Sequence, residues 1–278
     1  MKRIVTIQDI SCVGKCSLTV ALPIISAMGV ECAVLPTAVL STHTMFPDFT
    51  FRDLTDDIRP IAAHWQAEKI GFDAIYTGYL GSFEQLKLIS EFIDNFKTPG
   101  TLVFIDPVMA DNGKLYTGFT PEFARAMAGL CGRADVIVPN LTEAAFLLDL
   151  PYQAGGYDEN YIRERLKRLA GLGARSVVLT GVSFRPDELG VMGYHAEKDE
   201  FFSYFHRKIE VSFHGTGDIF SSTAVGALMR GFSLERALAL AADYTVDCIE
   251  GTMNSPGHAW YGVEFEPAIP GLVARLNR

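Results

Sequence analysis

The sequence predicts an α/β fold, a mostly parallel sheet with helices on both faces, in a single domain over residues 1–278. Three observations predict it. Short runs rich in Val, Ile and Leu alternate with longer amphipathic runs through almost all of the 278 residues, the sequence form of successive βαβ units. Most polar residues with chemistry to offer fall just past the carboxyl ends of the strand-like runs, where open α/β sheets bind ligands. No linker, repeat or low-complexity stretch interrupts the chain, and 49% hydrophobic content is ample for one large core.

The elements follow in order. A buried strand spans 3–8, short and β-branched. A loop at 9–16 begins with Asp9. Ser17 opens a helix to about residue 28, which Gly29 stops. A second strand covers 32–35. The stretch 37–52 is polar-aromatic and irregular, long enough for a lid or binding segment; its part from His43 to Arg52 is expected to be a mobile flap. A helix at 55–69 leads into a strand at 73–77 and then Gly78-Tyr79. A further helix runs to about residue 96. The strand at 102–105 ends in Asp106-Pro107. Thr120 and Pro121 mark a helix start, an N-cap followed by proline at the first helical position. The strand at 136–138 ends in Pro139-Asn140, with Glu143 three residues on. Helices are expected at about 142–148 and 158–172, and the strand at 176–180 ends in Thr180. The period then changes. Residues 190–194 and 200–205 read as a hairpin around 197–199, with the aromatic run from Phe201 to Phe205 as hairpin core. Two helices, near 219–230 and 233–251, close the core, and a short helix ends the chain.

Between the hairpin and those helices lies Gly215-Thr216-Gly217-Asp218, followed by a run of small residues. Glycines let the backbone turn sharply and approach a ligand. The free amides and dipole of a helix start favour an anion. Gly215, Thr216 and Gly217 can thus form a pocket for developing phosphate charge, with Asp218 at its mouth to take a proton from an attacking hydroxyl. A plain helix start with Asp218 near its cap explains the same four letters. Asn140 and Glu143 are one helical turn apart and could face one ligand. Oxygen groups of this kind suit a hydrated magnesium ion, as they suit a helix cap. His43 alone reads as a loop histidine.

The net charge of −9 excludes a nucleic-acid partner, which needs a basic face. No signal-peptide pattern and no membrane-spanning run is present. Five cysteines, scattered and odd in number, form no CxxC pattern and read as free thiols of a reducing cytoplasm.

Gly215-Thr216-Gly217-Asp218 resembles the signature of the ribokinase-like superfamily, and Asn140-Leu141-Thr142-Glu143 is similar to its NxxE magnesium motif. Within it the chain most resembles the pyridoxal (vitamin B6) kinases. The matching pieces are Ile7-Gln8, Ser41-Thr42-His43-Thr44, Thr77-Gly78-Tyr79, Asp106-Pro107-Val108-Met109, Pro139-Asn140 and the glycine motif, in family order across almost the whole chain. The resemblance implies a three-layer α/β/α ribokinase-like fold and ATP-dependent phosphorylation of the 5′-hydroxymethyl group of pyridoxal, pyridoxine or pyridoxamine. It implies that Asp218 is the base and that Gly215, Thr216 and Gly217 form the anion hole. Asp106 and Glu143 would serve Mg2+, and Asn140, Thr180 and Gly181 would line the nucleotide phosphates. Thr44 and Tyr79 would contact the B6 ring. Members are usually homodimers, and some use a monovalent cation (K+).

Asp9 departs from the pattern. Better-known members carry serine there, so a carboxylate near the ring would favour a cationic substrate such as pyridoxamine. The nearest rival is a hydroxymethylpyrimidine kinase of the same superfamily, in which a GTGC motif often stands where Asp218 stands here. A sugar kinase would carry an inserted β-lid. A non-catalytic B6-binding protein would need no base.

Overall fold

The structure, a computed structural model, describes residues 1–211 and 213–277. The first elements are strand β1 (Arg3–Val13), helix α1 (Leu18–Ala27), β2 (Glu31–Thr42), β3 (Phe51–Asp53), α2 (Thr55–Ala67) and β4 (Ala74–Thr77). They are followed by α3 (Phe83–Phe96), β5 (Leu102–Ile105), β6 (Ala110–Asp111), β7 (Lys114–Leu115), α4 (Pro121–Cys131), β8 (Val136–Ile137), α5 (Leu141–Leu147) and α6 (Glu159–Ala170). The last are β9 (Ser176–Val182), β10 (Glu188–His195), β11 (Glu200–Arg207), α7 (Thr216–Met229), α8 (Leu234–Met253), a 3₁₀ turn (Glu266–Ala268) and α9 (Ile269–Arg275). These residues form two compact units, 1–78 with 209–278, and 79–208.

In the first unit β1 runs parallel to β2 on one side and to β4 on the other, and β3 returns antiparallel to β2. β1 and β4 are buried on both faces over most of their length, as strands covered on both sides are. Val20, Ile24 and Met28 meet Ile219, Ala227, Tyr244, Phe265 and Leu272 in one buried cluster. α7 is buried on nearly every side, which its small residues Ser221, Ser222, Ala224 and Gly226 permit. The Tyr244 hydroxyl, deep in that cluster, donates to the Phe265 carbonyl at 3.0 Å and ties the C-terminal segment to α8.

In the second unit β5, β8 and β9 are parallel, while β10 pairs antiparallel with both β9 and β11. The expected hairpin is therefore the outer part of a three-stranded antiparallel group. Its aromatic run is half-buried rather than core, with Phe201 against Tyr194 at 4.7 Å. The expected N-cap of α4 is present: the Phe123 amide donates to the Thr120 hydroxyl.

Several boundaries differ from those expected. β1 does not end at Gln8 but continues to Val13, so Asp9 lies inside a strand. The β1–β2 register shifts between Gln8 and Ile10, opposite Pro36 and Val39. Proline offers no ladder donor, and the shift accommodates it. Beyond it β2 runs on to Thr42, so the irregular stretch at 37–52 shrinks to a turn at 43–50 between paired strands. β9 likewise continues past Thr180 to Val182. The β6–β7 hairpin was not expected; it turns on Asn112 and Gly113, both at positive φ, as an Asn-Gly hairpin requires. Among the described residues no helix is long and apolar enough to cross a membrane, and all five cysteines are free.

Candidate active site

The first unit carries the glycine motif. Gly215 is the N-cap of α7 at φ 85°, a left-handed conformation that glycine adopts without strain. It also packs against the β1–α1 connection so closely that a Cβ would overlap the Lys15 carbonyl oxygen. Gly217, by contrast, faces open space. Among the described residues no side chain caps this helix start, which leaves its first amides to an incoming anion. Thr216 turns its hydroxyl back to the Phe213 carbonyl. Asp218 lies in the first turn of α7. Burial pushes its carboxyl up to about 7, with the charge of Asp9 adding to the rise and a hydrogen bond from the Ser17 amide opposing it. An acid poised there exchanges a proton with substrate near neutral pH.

Asp9 is 5% exposed. Its Oδ1 accepts the Ser17 hydroxyl at 2.6 Å and its Oδ2 the Ser11 hydroxyl at 3.0 Å. Burial raises its carboxyl above the usual range against both bonds. Ser11 and Ser17 were not singled out in the sequence; serine in a strand and at a helix start carries no such signal. The buried Cys16 thiol is pushed up by the same burial and by Asp218 and Asp9, and so is inert.

His43 is the satisfied loop histidine expected, and a deeply buried one. It is 2% exposed. Its Nδ1 accepts the Met45 amide at 3.2 Å, so its Nε2 carries the proton and donates to the Tyr261 carbonyl at 2.9 Å. Its ring lies 4.6 Å from His214, which burial and His43 hold down to about 4. Phe46 packs on Trp260 at 4.6 Å. The turn at 43–50 is thus fastened to the C-terminal segment at its start, while Thr44 beside the anchor is exposed.

The second unit carries the acids. Asn140 caps α5 and Glu143 completes a capping box. The Thr142 and Glu143 amides donate to Asn140 Oδ1 at 2.8 and 2.9 Å, and the Asn140 amide donates to Glu143 Oε2 at 2.9 Å. Glu143 Oε1 accepts the Met109 amide at 3.2 Å. Burial, then the nearby Asp106, holds the Glu143 carboxyl well above the usual carboxylate range. Glu143 and Asp106 are 3% and 7% exposed, so two acids share one desolvated place. Thr180 bridges to Asn140, and Gly181 bulges from β9 at φ 72° with open space at its Cβ position. Tyr79 packs on Phe119 at 5.5 Å.

Of the expected residues, the structure brings Asp9 together with Asp218 and the glycine turn, and Asp106 with Glu143, Asn140 and Thr180. The first set suits a proton acceptor beside an anion pocket. The second suits a hard cation near a backbone fold that could take phosphate.

The sequence profile of the phosphomethylpyrimidine kinase family matches residues 22–263. A Bacteroides thetaiotaomicron protein assigned as a phosphomethylpyrimidine kinase is 40% identical. In a rhombohedral crystal form it superposes with a TM-score of 0.94 over 98% of this chain and 93% of that one. In an orthorhombic form with pyridoxal the TM-score is 0.92, over 98% and 95%. Pyridoxal kinase from Lactobacillus plantarum is 31% identical, with a TM-score of 0.90 over 99% of this chain and 98% of that one. A pyridoxine/pyridoxal/pyridoxamine kinase of Bordetella avium is 28% identical over 90% of this chain and 85% of its own. The expected three-layer α/β, ribokinase-like architecture is the one these structures share with it. A profile that begins within α1 and ends past α8, on a fold shared from end to end, decides the matter: the chain belongs to the phosphomethylpyrimidine kinase family.

Proposed function

We propose that this chain is an ATP-dependent kinase that transfers a phosphoryl group to the 5′-hydroxymethyl group of a B6 vitamer. One observation carries the reading: an acid raised to about 7 in the first turn of a helix whose start no side chain of the described residues caps. Asp218 would take the hydroxyl proton as the oxygen attacks. The amides from Gly215 to Gly217 would hold the negative charge that gathers on the transferring group. Relatives named for pyridoxal, and a 40% identical structure holding it, support the B6 choice.

Asn140, Thr180 and Gly181 would line the nucleotide phosphates, and Thr44 and Tyr79 the vitamer ring. Asp106 and Glu143 fit a divalent cation: they are hard oxygen donors buried together, and their repulsion is what a cation relieves. Mg2+ held there, largely through water, would neutralise phosphate charge. The same reading takes the chain as one kinase domain, a homodimer acting in the cytoplasm, with a monovalent cation as an added requirement.

The second reading is phosphorylation of hydroxymethylpyrimidine, which the family's own description favours. The chemistry is the same, a hydroxymethyl group on a heteroaromatic ring, and Asp218 in place of cysteine weighs toward B6. ADP release measured with pyridoxal, pyridoxine, pyridoxamine and hydroxymethylpyrimidine separates the two. The B6 reading expects the highest kcat/KM with a vitamer, and a hydroxymethylpyrimidine preference would replace it.

A further inference from the structure

Ser17 sits at the head of α1 with φ 51° and ψ −134°. Residues with side chains avoid that half of backbone space, and where one is held there the surroundings must enforce it. Serine at a helix start usually turns its hydroxyl onto the first amides as a cap. Ser17 makes no such bond. Its hydroxyl is directed instead to Asp9 Oδ1 on β1, at 2.6 Å. Its amide is hydrogen-bonded to the Asp218 carboxylate on α7. Two residues upstream, the Lys15 carbonyl fills the space that a side chain at Gly215 would need. One short connection therefore touches the proton acceptor, the glycine turn before it and a second buried acid. Asp9 is fixed in turn by the Ser11 hydroxyl at 3.0 Å.

We propose that Ser17 is a positioning residue for the phosphoryl transfer. Its amide aims the Asp218 carboxylate, and its hydroxyl, anchored on Asp9, holds the strained backbone that lets the amide point there. On this account Asp9 serves Asp218 through Ser17 rather than reading the substrate ring. The proposal rests on the kinase reading above.

The test compares Ser17→Gly and Ser17→Ala with the unaltered chain, by ADP release from ATP with each B6 vitamer and hydroxymethylpyrimidine, and by thermal melting. Glycine adopts the backbone angle freely, which offsets the lost hydrogen bond to Asp9, so Ser17→Gly should melt within a few degrees of the parent. With the anchor gone, kcat should still fall on the order of ten- to a hundredfold, as small misplacements of reacting groups cost. The KM for ATP should stay within about twofold, since nucleotide binding is untouched. Ser17→Ala keeps the strain without the anchor and should lose both melting temperature and kcat. A serine with a merely structural role would not split kcat from stability in this way. An active parent with a Ser17→Gly kcat within about twofold of it would overturn the positioning role alone. A parent that releases ADP with none of the four substrates would overturn the kinase reading and the positioning role together.

Discussion

Asp218 stands where its chemistry and its cost to the fold can be separated. Its carboxyl is raised from 3.8 to about 7. Below about pH 4 the folded and unfolded chains both hold the proton. Between about 4 and 7 only the unfolded chain releases it, so stability falls through that window and stays lower above it. Asp218→Asn removes the penalty without changing shape. The variant should melt higher than the parent at pH 8, and the gap should close by about pH 4. A gap independent of pH would mean that Asp218 titrates normally. Glu143 completes a capping box and is proposed to serve a cation as well, a choice its sequence left open because Asn-x-x-Glu spacing serves both alike. Glu143→Gln should raise the magnesium concentration for half-maximal rate. An unchanged magnesium titration would leave only the cap. Asp218 was legible as a residue of a helix start after two glycines, where the structure places it. Ser17 was legible only as a helix start, because its backbone angle and the direction of its hydroxyl are set by tertiary contacts.

At the scale of elements, the start of α7 offers a contrast between two glycines. At Gly215 a Cβ would overlap the Lys15 carbonyl oxygen, and φ is 85°. Gly215→Ala should lower the melting temperature and abolish turnover together. Gly217 has nothing near its Cβ position. Gly217→Ala should keep or raise the melting temperature by its helix propensity, yet lower kcat by filling the anion pocket. Normal turnover in Gly217→Ala would move the phosphate elsewhere. The turn at 43–50 is fastened at His43 and Phe46 but exposed at Thr44. Limited proteolysis should cut it in the free protein and spare it with ATP and pyridoxal, as a closing flap would; the same cleavage in both states would count against closure. Most strands and helices were legible, because periodicity reports burial, but the short strands β3, β6 and β7 were not. Boundaries failed where a residue worked against its own element. Pro36 hid the second half of β2, and Asp9 in the middle of β1 read as the start of a loop. The β6–β7 hairpin was missed although Asn112-Gly113 announced it.

For the whole molecule, the alternation of apolar runs gave the layered α/β fold, while two of the polar residues expected just beyond strand ends, Asp9 and Thr180, lie inside β1 and β9. The alternation could not give the pairing of distant residues, such as Ser17 with Asp9 or Tyr244 with Phe265, because no local pattern encodes it. Nor does sequence pattern separate two substrates that differ in a ring and share a hydroxymethyl group. The account stands on a single chemical claim, that Asp218 accepts the proton when a B6 vitamer is phosphorylated. Single-turnover formation of the vitamer 5′-phosphate, measured in the parent chain and in Asp218→Asn with ATP binding followed in parallel, tests it. The rate should fall by roughly 10²–10⁴ while ATP binds as before. A vitamer phosphate formed by Asp218→Asn at the parent's rate would contradict it.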